Sequence, residues 1–313
     1  MPALSEVEGD LRLFLHELQD ASSGWESMNP TPTRVVLDSN LPSKTPHPMF
    51  NLPQLESALA GTIYAGNLHF TQVTDSTNTD ALEAARTAAP HGSIYLADEQ
   101  LAGRGRGNHA WSSAAGQGLY VSILLRSQIP AARMALLPLA AGLAAAHAIN
   151  ETTNLAIDLR WPNDLLIGPR KTGGILVEAT IGTQGPPHAV LGIGINVHQR
   201  TFPADLATPA TSLDLESHQS ISRQLLLIAL LKSLDRETQA LNDPEAAETI
   251  PHRIAQSSTW IRGRHVQVHG PQACTGITEG LDANGFLLVR TATGQVTVQT
   301  GGLRATESSS GRV

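Results

Sequence analysis

Apolar residues in the central part of the chain follow two spacings. Short strand-like runs alternate with longer segments in which apolar residues recur every three or four positions, as on one face of a helix. The strand-like runs include SIYLADEQ, LYVSILLR, GILVEATI and AVLGIGINV, and the helical segments include TDALEAARTAA, ARMALLPLAAGLAAAHAIN and SRQLLLIALLKSLDRETQAL. This mixture predicts an α+β domain with a mixed or antiparallel sheet, long enough to bury a sizeable core.

A different pattern begins after Trp260. The segments HVQVHG, GITEGLDANGFLLVRT and GQVTVQT alternate apolar and polar residues, and the pairs Asn284-Gly285 and Thr293-Gly294 mark tight turns. The pattern predicts a small all-β module of about fifty residues, barrel-like by the length and spacing of its strands.

The N-terminal part of the chain has neither pattern over its whole length. Apolar residues at helical spacing predict one short amphipathic helix over residues 5–21, whereas residues 29–53 contain six prolines and read as an extended linker. No DNA-reading helix-turn-helix fits there. The predicted divisions are therefore an N-terminal helix and linker, a central α+β domain, a small β domain and a tail, at 1–54, 55–256, 257–305 and 306–313.

Composition narrows the class of protein. The 313 residues are 41% hydrophobic and carry a formal charge of −7, which favours a soluble globular protein and makes nucleic acid an unexpected partner. The single cysteine, Cys274, excludes an internal disulfide and a cysteine-rich zinc site, so we expect a cytoplasmic protein. The most apolar run, residues 134–149, reads as a buried core helix too short to cross a bilayer.

The stretch GRGRGNHAW, residues 103–111, is the first candidate for binding chemistry. Its glycines allow a ligand to approach the main chain, and Arg104 and Arg106 carry planar forks suited to phosphate or carboxylate. The alternatives are a flexible basic loop or an arginine-glycine segment that touches RNA. Asn108 interrupts a dinucleotide fingerprint, and no Walker loop occurs in the chain. The stretch predicts an anion-binding loop of another type.

Three further clusters have both a structural and a functional interpretation. DSTN, residues 75–78, precedes a helical run, so its side chains either cap the helix or bind a neutral polar head group. Gln100 could simply end a strand. Lys171 follows a turn and stands beside two glycines, where it is either an exposed loop lysine or a ligand contact. In GIGINV, residues 192–197, the glycines share one strand face and could serve close helix packing alone.

The order and spacing of DSTN, EQLAGRGRGNHAW, WPNDLLI, RKTGGILVEA and GIGINV resemble the biotin protein ligase family. The resemblance covers roughly residues 55–305. It implies a class II synthetase-like catalytic domain followed by an SH3-like β-barrel. It also implies an enzyme that joins biotin and ATP into biotinyl-5'-adenylate and then transfers the biotinyl group to one lysine of a carboxylase carrier domain.

The resemblance also implies roles for individual residues. Lys171, Arg106 and Asp164 are the expected catalytic residues, with Lys171 at the reacting carboxylate and phosphate and Asp164 orienting or deprotonating the acceptor amine. Magnesium would accompany ATP, without a metal site made by the protein alone. The expected substrate-binding residues are Ser76, Thr77, Asn78, Gln100, Gly103, Arg104, Gly105, Arg106, Trp111, Lys171, Gly174 and Asn196.

The sequence departs from the family in two places. His109 stands where many relatives carry a further arginine, so a permanent charge is replaced by one that titrates near neutrality. Residues 1–54 do not resemble the winged helix-turn-helix of relatives that also repress transcription, so we expect a monofunctional enzyme with no DNA partner and no membrane association.

The expected partner is the biotin carboxyl carrier protein domain of acetyl-CoA carboxylase. A homodimer is plausible if the fold leaves a sheet edge exposed. Two alternatives stay open: a ligase of the same superfamily that attaches lipoate or octanoate, and a biotin-sensing protein without useful turnover. The arginine-glycine loop and the β module favour biotin, and a DNA-binding segment would favour the sensor.

Overall fold

The structure is a computed structural model that describes residues 50–107, 109–126, 129–180 and 188–306. The predicted N-terminal helix, most of the predicted linker and residues 307–313 lie outside this range. The helices in the described part are α1 (Leu52–Ala58), α2 (Thr77–Arg86), α3 (Leu137–Thr153), α4 (Leu213–Ser217), α5 (Arg223–Ala240) and α6 (Pro244–Gln256).

Twelve strands of the described residues form two sheets. The first sheet contains β1 (Leu68–Thr74), β2 (Ser93–Gln100), β3 (Gly118–Arg126), β4 (Asp158–Arg160), β5 (Asp164–Ile167), β6 (Arg170–Thr180) and β7 (His188–Asn196). The second contains β8 (Arg262–His269), β9 (Cys274–Leu281), β10 (Leu287–Thr291), β11 (Gly294–Val298) and β12 (Gly302–Ala305).

The first sheet has the strand order β1-β2-β3-β7-β6-β5-β4. Its β1–β2 pair is parallel and its other pairs are antiparallel, so the predicted mixed sheet is confirmed. A parallel pair cannot be joined by a tight hairpin, and α2 provides the crossover between β1 and β2. This topology brings the first turn of α2 over the centre of the sheet.

The two faces of the first sheet are covered by different helices. Strand side chains alternate between the faces: Leu124 of β3 and Val190 of β7 pack with Ala81 and Ala85 of α2. The alternate residues of the same strands belong to the main core, which also includes the apolar faces of α3 and α5. The cleft described below opens on the α2 side.

The predicted core helix is confirmed, but its predicted length is wrong. Residues Ala132–Thr153 form 22 continuous helical residues, which by length and composition alone could cross a membrane. The helix continues because a 3-10 turn, Ala131–Leu136, leads directly into α3. Its most apolar window is 72% buried inside the protein, as expected for a core helix.

The second sheet is antiparallel, with the order β11-β10-β9-β8-β12. The predicted turn at Asn284-Gly285 lies just before β10, where the Asp282 carboxylate accepts the amides of Asn284 and Phe286. The indole nitrogen of Trp161 donates to the carbonyl of Gly285 at 3.0 Å, so the β4–β5 turn is joined to the second sheet.

The predicted linker is wrong at its C-terminal end. Asn51 caps α1 through its side chain, and a proline in the first turn suits a helix start. Leu52 and Pro53 are therefore helical. The predicted domain boundary after residue 256 stays a prediction, although α6 ends at Gln256 and β8 begins at Arg262.

Helix α5 offers a matched test of the core. Leu230 is fully buried, whereas Leu225 on the same helix is 57% exposed. We expect Leu230→Ala to lower the free energy of unfolding by about 2–5 kcal/mol, because it leaves a cavity. Leu225→Ala should change it by less than about 0.5 kcal/mol. Urea denaturation of both variants checks this, and equal losses would contradict the packing described for α5.

Candidate active site

Most of the polar sequence motifs meet in one cleft on the α2 side of the first sheet. The cleft is open to solvent, and its empty space, including the solvent at its mouth, is about 460 Å³. Its walls are formed by the first turn of α2, the end of β2, the loop after β2 and the centres of β6 and β7. The lining residues are Ser76, Thr77, Asn78, Gln100, Arg104, Gly105, Arg106, Trp111, Asn163, Lys171, Gly174, Ile175, Leu176, Gly192, Ile193 and Gly194.

The first turn of α2 forms one end of the cleft. Ser76 occupies the cap position, but its side chain makes no capping hydrogen bond, so the capping interpretation does not hold for this residue. The amide of Thr77 instead donates to Oε1 of Gln100 at 2.9 Å. Nε2 of Gln100 donates to the hydroxyl of Ser113 at 2.7 Å, which fixes the orientation of the amide group.

A line of buried polar side chains continues under the cleft. The hydroxyls of Thr77 and Ser122 lie 2.7 Å apart, and Ser122 donates to Oδ1 of Asn78 at 2.5 Å. Nδ2 of Asn78 donates to Oε2 of Glu178 at 2.7 Å. The same carboxylate oxygen accepts from the Arg104 guanidinium at 2.8 Å. The floor of this end is therefore a hydrogen-bonded network that ends in an ion pair.

The glycine-arginine loop folds as a narrow hairpin. The amide of Trp111 donates to the carbonyl of Gly103 at 2.8 Å, and the amide of Gly105 donates to the carbonyl of His109 at 2.7 Å. The two arginines go to different partners. Arg104 binds Glu178 beneath the cleft, whereas Arg106 contacts the carbonyl of Gly301 and the hydroxyl of Thr300 in the turn between β11 and β12.

The other end of the cleft carries a cluster of charges. Nζ of Lys171 lies 2.5 Å from Oδ1 of Asp164, and Arg160 donates twice to Oδ2 of Asp164, at 3.0 and 2.7 Å. Burial alone would raise the pKa of Asp164, but the charges of Lys171 and Arg160 outweigh it and hold the pKa below its usual value. Asp164 is thus a weak base that anchors Lys171.

Trp111 covers the Lys171 end. Its ring centroid lies 5.6 Å from Nζ of Lys171, within the range of a cation–π contact. A Cβ at Gly194 would lie 2.5 Å from the indole nitrogen, and one at Gly192 would overlap the amide of Asn78. Gly194 therefore makes room for Trp111 of the loop, and Gly192 makes room for Asn78 of α2. Close packing of a helix, the structural interpretation of both glycines, explains only Gly192.

All predicted substrate-binding residues except Gly103 and Asn196 line the cleft. Gly103 braces the loop through its carbonyl, with no room for a Cβ beside Trp111 and Ser113. Asn196 is buried at the end of β7 and donates to the carbonyl of Thr211 at 3.0 Å. Asp164 stands behind Lys171 and is absent from the lining.

Sequence reasoning missed Ser122, Asn163 and Glu178. Ser122 and Glu178 each interrupt an otherwise apolar strand, and Glu178 is two residues from Leu176 and four from Gly174, so it shares their face. This signal was available in the strand pattern. Asn163 lines the cleft and donates its amide to the carbonyl of Ile175 at 2.7 Å, which joins the β4–β5 turn to β6. Among the described residues, no group of three or more histidine, cysteine, aspartate or glutamate side chains could hold a metal ion.

Comparison with known proteins agrees with this site. Residues 70–196 match the Biotin/lipoate A/B protein ligase family, and residues 262–301 match the Biotin protein ligase C terminal domain. A biotin–[acetyl-CoA-carboxylase] ligase of Mycobacterium tuberculosis is 32% identical over 235 residues, covering 73% of this chain and 85% of the relative.

The matched region of another relative is shorter. The bifunctional ligase/repressor BirA of Bacillus subtilis is 37% identical over 172 residues, which are 54% of this chain and only about half, 53%, of that protein's length. A biotin protein ligase from Aquifex aeolicus, solved in complex with biotin and ATP, is 29% identical with a TM-score of 0.67, over 77% of this chain and 100% of that one.

The lowered pKa of Asp164 predicts a pH dependence of stability. A carboxyl with a depressed pKa stabilises the fold above its unfolded value of about 3.9 and loses that contribution as the pH falls through the folded-state pKa. We expect Asp164→Asn to lower the free energy of unfolding by about 2 kcal/mol at pH 7, and the difference from the unaltered protein to shrink below about pH 4. Urea denaturation across pH 7 to 3 measures both. A difference that does not change with pH would contradict the charge pairing.

Proposed function

This chain belongs to the biotin protein ligase family, and from that premise we propose that it activates biotin with ATP and transfers it to a lysine of a biotin carboxyl carrier protein. The observation that carries the proposal is the polarity of the cleft. A hydrogen-bonding floor stands at one end, and a lysine held by Asp164 under Trp111 stands at the other. Biotin has a neutral ureido ring at one end and a carboxylate at the other, so its two ends match the two ends of the cleft.

The first proposed step forms biotinyl-5'-adenylate. A carboxylate oxygen of biotin bonds to the α-phosphorus of ATP, and the bond from that phosphorus to the bridging oxygen breaks, so pyrophosphate leaves with the electron pair. Both reactants are anions, and a fixed cation offsets their repulsion and the charge that develops. Lys171 is suited to this role because Asp164 orients its ammonium toward the cleft end that Trp111 covers.

The second proposed step moves the biotinyl group to the carrier. The neutral amine of a carrier lysine attacks the acyl carbonyl, the bond to the phosphate oxygen breaks, AMP leaves with the electron pair, and the proton of the amine passes to solvent water. The depressed pKa of Asp164 makes it a poor acceptor for that proton. Asp164 is paired with Lys171 and Arg160, so we propose that it orients Lys171 and does not deprotonate the acceptor amine.

Magnesium would enter with the ATP phosphates. Within the described residues, the two carboxylates next to the cleft are already engaged, Asp164 with Lys171 and Arg160, and Glu178 with Arg104. This donor set suits an ion that keeps most of its ligands from substrate phosphates and water. Bound there, the ion would withdraw charge from the leaving pyrophosphate.

Several parts of the proposal concern the wider context. We place the enzyme in the cytoplasm, with the carrier domain of acetyl-CoA carboxylase as its protein substrate. Strand β1 ends one side of the first sheet, and pairing of two such edges would provide a homodimer. The lysine–aspartate pair at the cleft favours turnover over a purely sensing role, and the polar floor favours biotin over an acyl chain such as lipoate.

The ligase assay uses purified protein, biotin, MgATP and a biotin carrier domain, with the mass of the carrier as readout. We expect the carrier to gain one biotinyl group. Lys171→Ala should slow this at least about 100-fold, because a preorganised charge is lost, whereas Lys232→Ala, an exposed lysine on α5, should leave the rate unchanged. Tight biotin binding without labelling would instead indicate the sensor, and labelling with lipoate would indicate the sister ligase.

The loop hairpin is proposed to close over the adenylate and exclude water. We expect biotin with MgATP to slow tryptic cleavage after Arg104 and Arg106, because a closed loop opens less often. Cleavage after Arg200, which is exposed away from the cleft lining, serves as the internal control. If residues 101–110 are cut at the same rate with and without ligands, the loop does not act as a lid.

A further inference from the structure

Glu178 is a buried carboxylate that the proposed mechanism does not use. Its side chain is 5% exposed, in the middle of the apolar strand β6. Oε2 accepts hydrogen bonds from Asn78 and Arg104, while Oε1 is buried and has no hydrogen-bond partner among the residues that the structure describes. A buried charge costs free energy unless it is paired and hydrogen-bonded. The hydrogen bonds of Glu178 therefore constrain the side chains of the polar floor.

Glu178 forms an ion pair with Arg104, and a carboxylate can only accept hydrogen bonds. Asn78 must therefore direct its NH2 group at Glu178, and its carbonyl oxygen then faces Ser122. That oxygen also only accepts, so the single hydroxyl proton of Ser122 is committed to Asn78. Each group in the line thus has one allowed orientation.

The same reasoning extends to Thr77. The 2.7 Å contact between the hydroxyls of Thr77 and Ser122 needs one proton between them. Because the proton of Ser122 lies on the Asn78 side, Thr77 donates to Ser122. Oε1 of Gln100, 3.1 Å from the same hydroxyl, is a second acceptor within the floor, so the Thr77 proton stays inside the protein with either partner. Thr77 then has no proton left for a ligand, and its hydroxyl oxygen offers only lone pairs to the cleft that it lines. A group that could serve as donor or acceptor has become an acceptor.

We propose that Glu178 is a specificity-determining positioning residue, which fixes the hydrogen-bond direction of the floor so that Thr77 accepts an N–H from the ligand head group. The inference rests on the proposed function, since biotin is the ligand whose ureido ring carries N–H donors. Glu178 acts through Asn78 and Ser122 and does not line the cleft. A head group with an oxygen in place of the N–H would face the lone pairs of Thr77 and be rejected.

Glu178→Gln removes the constraint, because a glutamine can donate to Asn78 and let its amide turn round. By calorimetry without ATP, we expect this variant to bind biotin about 10- to 100-fold more weakly than the unaltered protein. Glu237→Gln is the control. Glu237 is a partly buried carboxylate paired with Arg253 on α6, away from the cleft lining, and its loss should not change the affinity for biotin.

The ratio of affinities for biotin and for its analogues shows whether Glu178 fixes the hydrogen-bond direction of the floor or only stabilises the fold. The probes are the two cyclic carbamate analogues of biotin, in which one ureido N–H or the other is replaced by oxygen. We expect the unaltered protein to bind one of them about 100-fold more weakly than biotin, and Glu178→Gln to reduce that ratio to about tenfold or less. A structural role would weaken all three ligands equally and leave the ratio unchanged.

A double-mutant cycle tests whether Glu178 acts through Thr77. Thr77→Val removes the accepting oxygen, so adding Glu178→Gln to it should change biotin affinity by less than about threefold. Additive losses would overturn the proposal. If Glu178→Gln does not fold, Ser122→Ala removes the hydroxyl through which Glu178 acts on Thr77. This variant should reduce the carbamate ratio to about tenfold or less, as expected for Glu178→Gln, and an unchanged ratio counts against the proposal.

The outcomes also distinguish this inference from the function on which it rests. If the unaltered protein binds no biotin, the proposed function is wrong and the inference is overturned with it. If the unaltered protein binds biotin and Glu178→Gln binds it equally well with the same selectivity, only the inference is overturned.

Discussion

Along β3, β6 and β7, successive side chains project from opposite faces of the sheet, and the arrangement of the cleft depends on this alternation. Leu176 and Glu178 belong to the cleft side, while Val177 between them belongs to the core. A shift of one residue in register would exchange the two sets. The polar floor is therefore held in place by the burial of the apolar residues that alternate with it.

The sequence predicted the parts of the fold that repeat and the parts of the site that cluster. Alternation and helical spacing identified both sheets, and the resemblance of the motifs identified the cleft. The local sequence pattern could not predict which distant residues the loop side chains contact. Arg104 and Arg106 are two residues apart and look equivalent, yet one binds a strand carboxylate and the other binds the second sheet. Each arginine binds a partner that lies more than seventy positions away in the sequence.

The charges of the cleft are already paired within the protein. Lys171 is held by Asp164, and Arg104 by Glu178, at 2.5 and 2.8 Å. Such pairing lowers the cost of burying the charges and fixes their positions before a ligand arrives. An anionic ligand would therefore meet cations whose geometry is already set, which reduces the reorganisation that accompanies the reaction.

The contact of Arg106 with Thr300 and Gly301 joins the loop over the cleft to the turn between β11 and β12 of the second sheet. Since the two parts share this contact, the free energy of the loop depends on where the second sheet sits. Such coupling is reciprocal. A ligand that stabilises the closed loop also restrains the second sheet, and a partner that binds the second sheet changes the affinity of the loop for its ligand. The small β module is thus coupled to the cleft through Arg106, although none of the described residues of the module lines the cleft.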